Sequence, residues 1–117
     1  MPLLSAIAHG RSGDKGNHAN IAIVAYSTAG YDWLVDHLTA EKVNQYFQAL
    51  GPQKVTRYEI PHLKALNFVL RNVLAGGASR SLRSDSQGKL LALALLQMEI
   101  ELPEDAKEYF RPKEMAE

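Results

Sequence analysis

The stretch His9–Asn20, HGRSGDKGNHAN, concentrates residue types that do chemistry. Arg11, Ser12, Asp14, Lys15, Asn17, His18 and Asn20 stand among three glycines, Gly10, Gly13 and Gly16, at three-residue spacing. Glycines so spaced allow positive φ angles and close backbone approach, the conditions under which successive amides point into one concavity and bind an anion. Arg11 and Lys15 add charge to that concavity. The pattern is neither a Walker loop, because the lysine precedes the last glycine and no Ser or Thr follows it, nor the GxGxxG of dinucleotide binding. The plain alternative is a glycine-rich hairpin loop whose charges are solvated.

Two other chemistries fit the stretch less well. His9, Asp14 and His18 match no familiar metal-ligand spacing, and Arg11 and Lys15 beside them repel a cation, so no metal is expected. Ser12, His9 and Asp14 make a hydrolase triad only on paper, since no GxSxG elbow occurs in the chain.

A second stretch, Gly76 to Ser84, holds Gly76, Gly77, Ser79, Arg80, Ser81, Arg83 and Ser84. Arginine offers a planar fork for carboxylate or phosphate, and serine adds donors. If both stretches lie at one end of a sheet they form a local anion pocket; otherwise they are two independent solvent loops. Asn67, an amide amid Leu66, Phe68, Val69 and Leu70, needs partners if buried, with a neighbouring loop expected before a ligand. His37 and His62 read as packing or solvent-facing residues.

Composition limits the function classes. Lysines and arginines number 13, as do aspartates and glutamates, so the long-range field that draws a protein to nucleic acid or to an anionic membrane is missing. Any anion site must be local. The absence of cysteine removes disulfides, thiolate chemistry and cysteine-bound metal, and fits a cytoplasmic home. The N-terminus lacks the charged lead and long apolar run of a signal peptide, and the longest nearly apolar run, Leu90 to Leu96, is far short of the roughly 20 residues of a membrane span. A soluble protein is expected.

The elements that must position these residues follow from apolar spacing. Leu3 to Ala8 and Asn20 to Tyr26 read as strands with the polar stretch as the loop between them. After Ser27 and Thr28, Tyr31, Leu34, Val35 and Leu38 share one helical face; Thr39 caps a second helix through Val43, Tyr46, Phe47 and Leu50, stopped by Gly51 and Pro52. Lys54 to Ile60 reads as a strand ended by Pro61. Leu63, Leu66, Leu70 and Val73 suggest a further helix, although Asn67, Phe68 and Val69 also suit a strand. Asp85 caps a helix through Leu90, Leu91, Ala94 and Leu95, with a hairpin at Asp85-Ser86-Gln87-Gly88 as the alternative. Met98, Ile100 and Leu102 alternate with Glu99 and Glu101 as a half-buried strand.

Strands interleaved with helices on a chain of 117 residues argue for one α+β domain, a mostly antiparallel sheet with helices packed on one face, for which a ferredoxin-like sandwich is the natural candidate. The domain is placed at residues 1–103, followed by a charged tail, 104–117, which Tyr109 and Phe110 can dock. Because the other sheet face or an edge is commonly covered by another subunit, a homo-oligomer is expected.

Three segments, RSGDKGNHANIAIVAYS, YEIPHLKALNFVLRNVLAGGASRSLRSDSQGK and LLQMEIELP, together resemble the small C-terminal domain of the acyclic terpene utilisation (AtuA-like) family of bacterial proteins, from about His9 to Pro103. In typical members this domain, described as ferredoxin-like, follows a much larger N-terminal one, whereas here it stands alone. The resemblance places Arg11, Ser12, Gly13, Asp14, Lys15, Gly16, Asn17, Asn20, Asn67, Gly76, Gly77, Ser79, Arg80 and Arg83 on the family's recurring positions; His18 stands where a small or acidic residue is more usual. It also implies a setting, the degradation of acyclic terpenes such as citronellol and geraniol through coenzyme A thioesters, but no assigned reaction.

Three roles follow as expectations. The first is an accessory subunit, not catalytic on its own and without a cofactor, that pairs with a separately encoded large AtuA-like protein and completes a site at their interface. The second is an independent small enzyme or binder of a phosphate-bearing, acyl-CoA-like ligand, with Arg11 and Lys15 on the anion and Asp14 as a general base. The third is a structural oligomerisation module. Neither nucleic acid nor membrane is an expected partner.

Overall fold

The computed structural model describes residues 2–15, 18–72 and 85–110. Four strands form one antiparallel sheet: β1 (Ala8–Lys15), β2 (His18–Ala25), β3 (Lys54–Ile60) and β4 (Ala65–Arg71), in the order β1-β2-β4-β3. Helices α1 (Thr28–His37), α2 (Ala40–Tyr46) and α3 (Asp85–Leu96) complete the fold. β2 and β3 both run antiparallel to β4, which lies between them, so they are parallel to each other and joined through α1 and α2. This is the split β-α-β unit of a ferredoxin-like sandwich. The edge strand that would close such a unit at its C-terminus is supplied here by β1, which precedes the unit in the chain.

Alternation builds the layers. On β2, Ala19, Ile21, Ile23 and Ala25 are buried while His18, Asn20, Ala22 and Val24 are not; on β4 the buried set includes Leu66, Phe68 and Leu70. These residues face the helices and join Leu4, Ile7, Leu34, Leu38, Val43 and Leu95 in one core. α3 covers β1 and β2, α1 lies over β2, and α2 lies over β3.

The two central helices form where their caps and apolar stripes direct. Ser27 Oγ accepts the Gly30 N–H at 2.9 Å, and Thr39 Oγ1 accepts the Lys42 N–H at 3.1 Å. α2 ends at Tyr46, earlier than its apolar spacing predicts, and tightens into a 3-10 turn (Gln48–Leu50) closed by Gly51 at φ 62°.

Four expectations are corrected. Leu3–Ala8 is not a strand: Leu4–Ala6 is a 3-10 turn, and only Ala8 enters β1. The polar stretch is not a long loop, because His9–Lys15 are strand residues paired with His18–Val24. No helix runs from Leu63 towards Val73; Pro61–Leu63 is a 3-10 turn, Lys64 takes φ 53°, and the chain reverses directly into β4. Leu63 is exposed, and Leu66, Phe68 and Leu70 alternate, so the helical spacing was fortuitous and period two prevailed where the strand is hydrogen-bonded on both sides. Finally, Met98 and Ile100 are buried and Glu99 and Glu101 exposed as expected, yet the segment makes only an isolated bridge, Leu3 to Glu99. Beyond it, Ala106 is buried and Tyr109 packs partly against the core in a 3-10 turn (Lys107–Tyr109) beside α1. The expected helix after Asp85 is present as α3.

Tyr31, on α1, has a buried hydroxyl with no hydrogen-bond partner among the described residues. Burial, with the Glu59 and Asp32 carboxylates, raises its pKa above the ordinary 10.0 against the lowering effect of Arg57. The folded protein thus holds this proton more tightly than the unfolded chain, so the associated stability is whole below about pH 10 and is lost as pH rises through the folded pKa. Tyr31→Phe is expected to leave the neutral-pH Tm unchanged or higher and to flatten the decline above about pH 10. Denaturation midpoints at the two pH values check this, and a drop of several degrees at neutral pH would refute it.

Candidate functional site

The helix-free face of the sheet is built from the alternate set of strand residues. In rows across β1, β2, β4 and β3 it reads His9, Val24, Ala65, Ile60; then Arg11, Ala22, Asn67, Tyr58; then Gly13, Asn20, Val69, Thr56; then Lys15, His18, Arg71, Lys54. None of these positions is acidic. The described acidic residues lie elsewhere: Asp32, Asp36, Glu99 and Glu101, for instance, are all exposed on the helix side. Among the described residues the one ion pair is Arg57 with Glu59, so Arg11, Lys54 and Arg71 carry uncompensated charge on the bare face. Among the described residues this face therefore carries cations and no acid, on a chain with no net charge.

Across β1 and β2 this face carries an open groove of about 540 Å³, lined by Arg11, Gly13, His18, Asn20, Ala22 and Val69, with Ser12, Asp14 and Ala19 also contributing. Three of the expected site residues, Arg11, Gly13 and Asn20, thus share the groove face, while Ser12 and Asp14 border it from strand positions that alternate to the helix side. Asn67 sits two strands in from Arg11, half-buried between Ala22 and Tyr58, and makes no side-chain hydrogen bond with a described residue. It belongs to the same face as Arg11. Lys15 ends β1 opposite His18. Gly16, Asn17, Gly76, Gly77, Ser79, Arg80 and Arg83 lie outside the described residues, and with them the convergence of the two stretches.

The glycines do not act as spacing alone suggests. Gly10 and Gly13 lie in strand, and the only positive-φ glycine among the described residues is Gly51, so no amide concavity forms at these two positions. Gly10 faces the helices, where a Cβ would meet the Ala22 carbonyl oxygen and Ile23 Cδ1 at 2.9 Å and Ala92 Cβ at 3.6 Å; it lets α3 lie against β1. Gly13 faces the groove, and a Cβ there would meet nothing within 4 Å. Ser12 points to the helix side, where its Oγ accepts the Ala92 N–H at 3.1 Å, which ties β1 to α3.

His18 is the lining residue least favoured by the resemblance, and the structure gives it a defined task. Its Nδ1 accepts the Asn72 N–H at 3.0 Å, holding the turn after β4, where Asn72 takes φ 57° and its side chain donates to Gln53 Oε1. In the neutral ring the proton then sits on Nε2, available as a donor. No group of three or more His, Cys, Asp or Glu residues able to hold a metal occurs among the described residues. Arg57 was not anticipated as important: its guanidinium donates to the Val35 and Leu38 carbonyls at 2.9 and 3.0 Å, closing the end of α1. A lone arginine in a strand carries no sequence signal for such a bond.

A family model for the AtuA ferredoxin-like domain matches residues 2–101. The chain belongs to the AtuA ferredoxin-like domain family. No curated protein and no solved structure matches it. The observed α+β architecture agrees with the ferredoxin-like description of the AtuA domain, and the match spans both the core and the bare sheet face. Among the described residues no helix is long and apolar enough to cross a membrane.

Proposed function

We propose that this AtuA-type domain is an accessory subunit that docks its bare sheet face on a separately encoded large AtuA-like chain and completes a site at their interface. The observation that carries the reading is the acid-free, helix-free face bearing Arg11, Lys54 and Arg71, none of them ion-paired among the described residues, on a protein with no net charge. Such a face favours an oppositely charged partner surface and sets the orientation of docking. In this reading the small chain holds and positions, and the chemistry needs the large one. The family's association with acyclic terpenoid and acyl-CoA catabolism in bacteria supplies the setting, with a cytoplasmic location and a homo-oligomer as further parts of the proposal.

Co-expression with a large AtuA-like chain from the same genome tests it. A complex is expected that weakens as salt is raised, and Arg11→Glu combined with Arg71→Glu should reduce retention roughly tenfold, whereas Glu99→Lys on the helix side should not. No complex across several salt concentrations overturns the reading.

The groove favours a second role for the same face, independent binding of a phosphate-bearing, acyl-CoA-like ligand, with Arg11 as the anion contact. Ser79, Arg80 and Arg83 complete that proposal by family likeness.

A further inference from the structure

We infer that the groove selects an amphipathic anion with a single headgroup, a carboxylate or one phosphate bearing a hydrocarbon chain, over a polyphosphate. The inference rests on the second reading above, that this groove takes an anion, and narrows its ligand class.

Four observations lead to it. First, of the described lining residues only Arg11 carries a permanent positive charge. One guanidinium fork matches one oxyanion, so the lining offers a single strong anion contact and no second one for a ligand carrying several charged groups. Second, the path inward from Arg11 is apolar. Arg11 stands directly opposite Ala22, and Val69, which pairs with Asn20, is the diagonal neighbour of Ala22 on the same face. From β1 to β4 is two strand spacings, about 10 Å, so a medium-length chain laid across the strands puts its head at Arg11 and its methylenes over Ala22 and Val69.

Third, Gly13 leaves the space beside this path open. Its φ demands no glycine and a Cβ there would touch nothing within 4 Å, so the fold does not require a bare backbone at this position, yet the bare backbone shapes the groove. Fourth, His18 lines the groove with its Nδ1 engaged by the Asn72 N–H, which leaves Nε2 as the ring nitrogen that can donate to an oxyanion. The groove's volume of about 540 Å³ falls within the range of small-molecule sites.

Calorimetric titration of the lone chain decides it, with hexanoate, octanoate, octyl phosphate, octanol, inorganic phosphate and pyrophosphate as probes, all below their aggregation limits. Octanoate or octyl phosphate is expected to bind best, and the two arms distinguish carboxylate from phosphate heads. Each methylene from hexanoate to octanoate should tighten binding roughly two- to fourfold. Arg11→Ala should weaken octanoate at least about tenfold. Gly13→Leu should abolish binding while leaving Tm unchanged, a control that separates a filled groove from a damaged fold. Pyrophosphate or inorganic phosphate binding as tightly as octanoate overturns the inference while leaving an anion site standing. Octanol binding equally well overturns it as well, and so does octanoate binding that survives Gly13→Leu. If no probe binds, both the inference and the ligand reading fall, and the pairing with a large chain is judged separately by co-purification.

Discussion

Replacing Gly10 by valine is expected to destabilise the fold by about 2–3 kcal/mol, the upper part of the range for overpacking a close-packed interior. The new Cβ would lie 2.9 Å from the Ala22 carbonyl oxygen, which is backbone in the β1–β2 ladder and cannot retreat without breaking register. It would also lie 2.9 Å from Ile23 Cδ1, and the two valine methyls add bulk on the side where Ala92 of α3 already approaches within 3.6 Å. Relief requires α3 to lift from β1, which stretches the Ser12 Oγ to Ala92 N–H bond and opens the core around Leu91 and Leu95. Gly13→Val provides the contrast. It lies on the opposite, helix-free face, where a Cβ meets nothing within 4 Å, so its cost should stay within about 0.5 kcal/mol. Urea unfolding of both variants measures the difference, and equal midpoints would show that the approach of α3 does not depend on Gly10.

Arg57→Ala is expected to cost about 2–3 kcal/mol. The guanidinium bonds two carbonyls at the end of α1, Val35 and Leu38, at 2.9 and 3.0 Å, where helix carbonyls lack intrahelical partners and the dipole favours a cation. Its side chain is only 18% exposed, so the carbonyls it leaves are poorly placed to recruit water. Lysine should recover part of the loss, since an ammonium keeps the charge but not the fork. The Glu59 partner is a different matter. Its side chain is 48% exposed, and the 3.1 Å ion pair is of the solvent-screened kind, so Glu59→Gln should cost less than about 1 kcal/mol. Thermal unfolding of the three variants checks the ranking, and a larger loss for Glu59→Gln than for Arg57→Ala would invert the account.

Much of the fold was legible because it rests on local rules. The Ser27 and Thr39 caps, the α1 stripe of Tyr31, Leu34 and Leu38, and the strand at Lys54–Ile60 all appear where residue type and spacing place them. The misreadings share a cause. His9–Lys15 lacks the β-branched residues of a strand yet becomes one, because β2 supplies its hydrogen bonds and α3 packs against its glycine. Leu63–Leu70 mimics a helical period, yet Lys64 turns the chain and Ala65–Arg71 becomes β4, because two neighbouring strands claim its backbone groups. The site followed the same division. Residue type singles out Arg11, Asp14 and Asn20, whereas the bare backbone of Gly10 serves packing against α3 and not an amide concavity.

From residue types and short-range spacing alone come the α+β class, the helix caps and the choice of His9–Asn20 as the candidate site, since each is encoded within a few turns or strands of chain. Only the tertiary structure decided that the cations of β1, β3 and β4 share one face without an acid among them, that Gly10 and Gly13 serve opposite faces, and that a groove runs from Arg11 over Ala22 and Val69. A strand's register determines which side each residue takes, and register is set by pairing between segments as far apart in sequence as Asn20 and Val69, which local patterns do not encode.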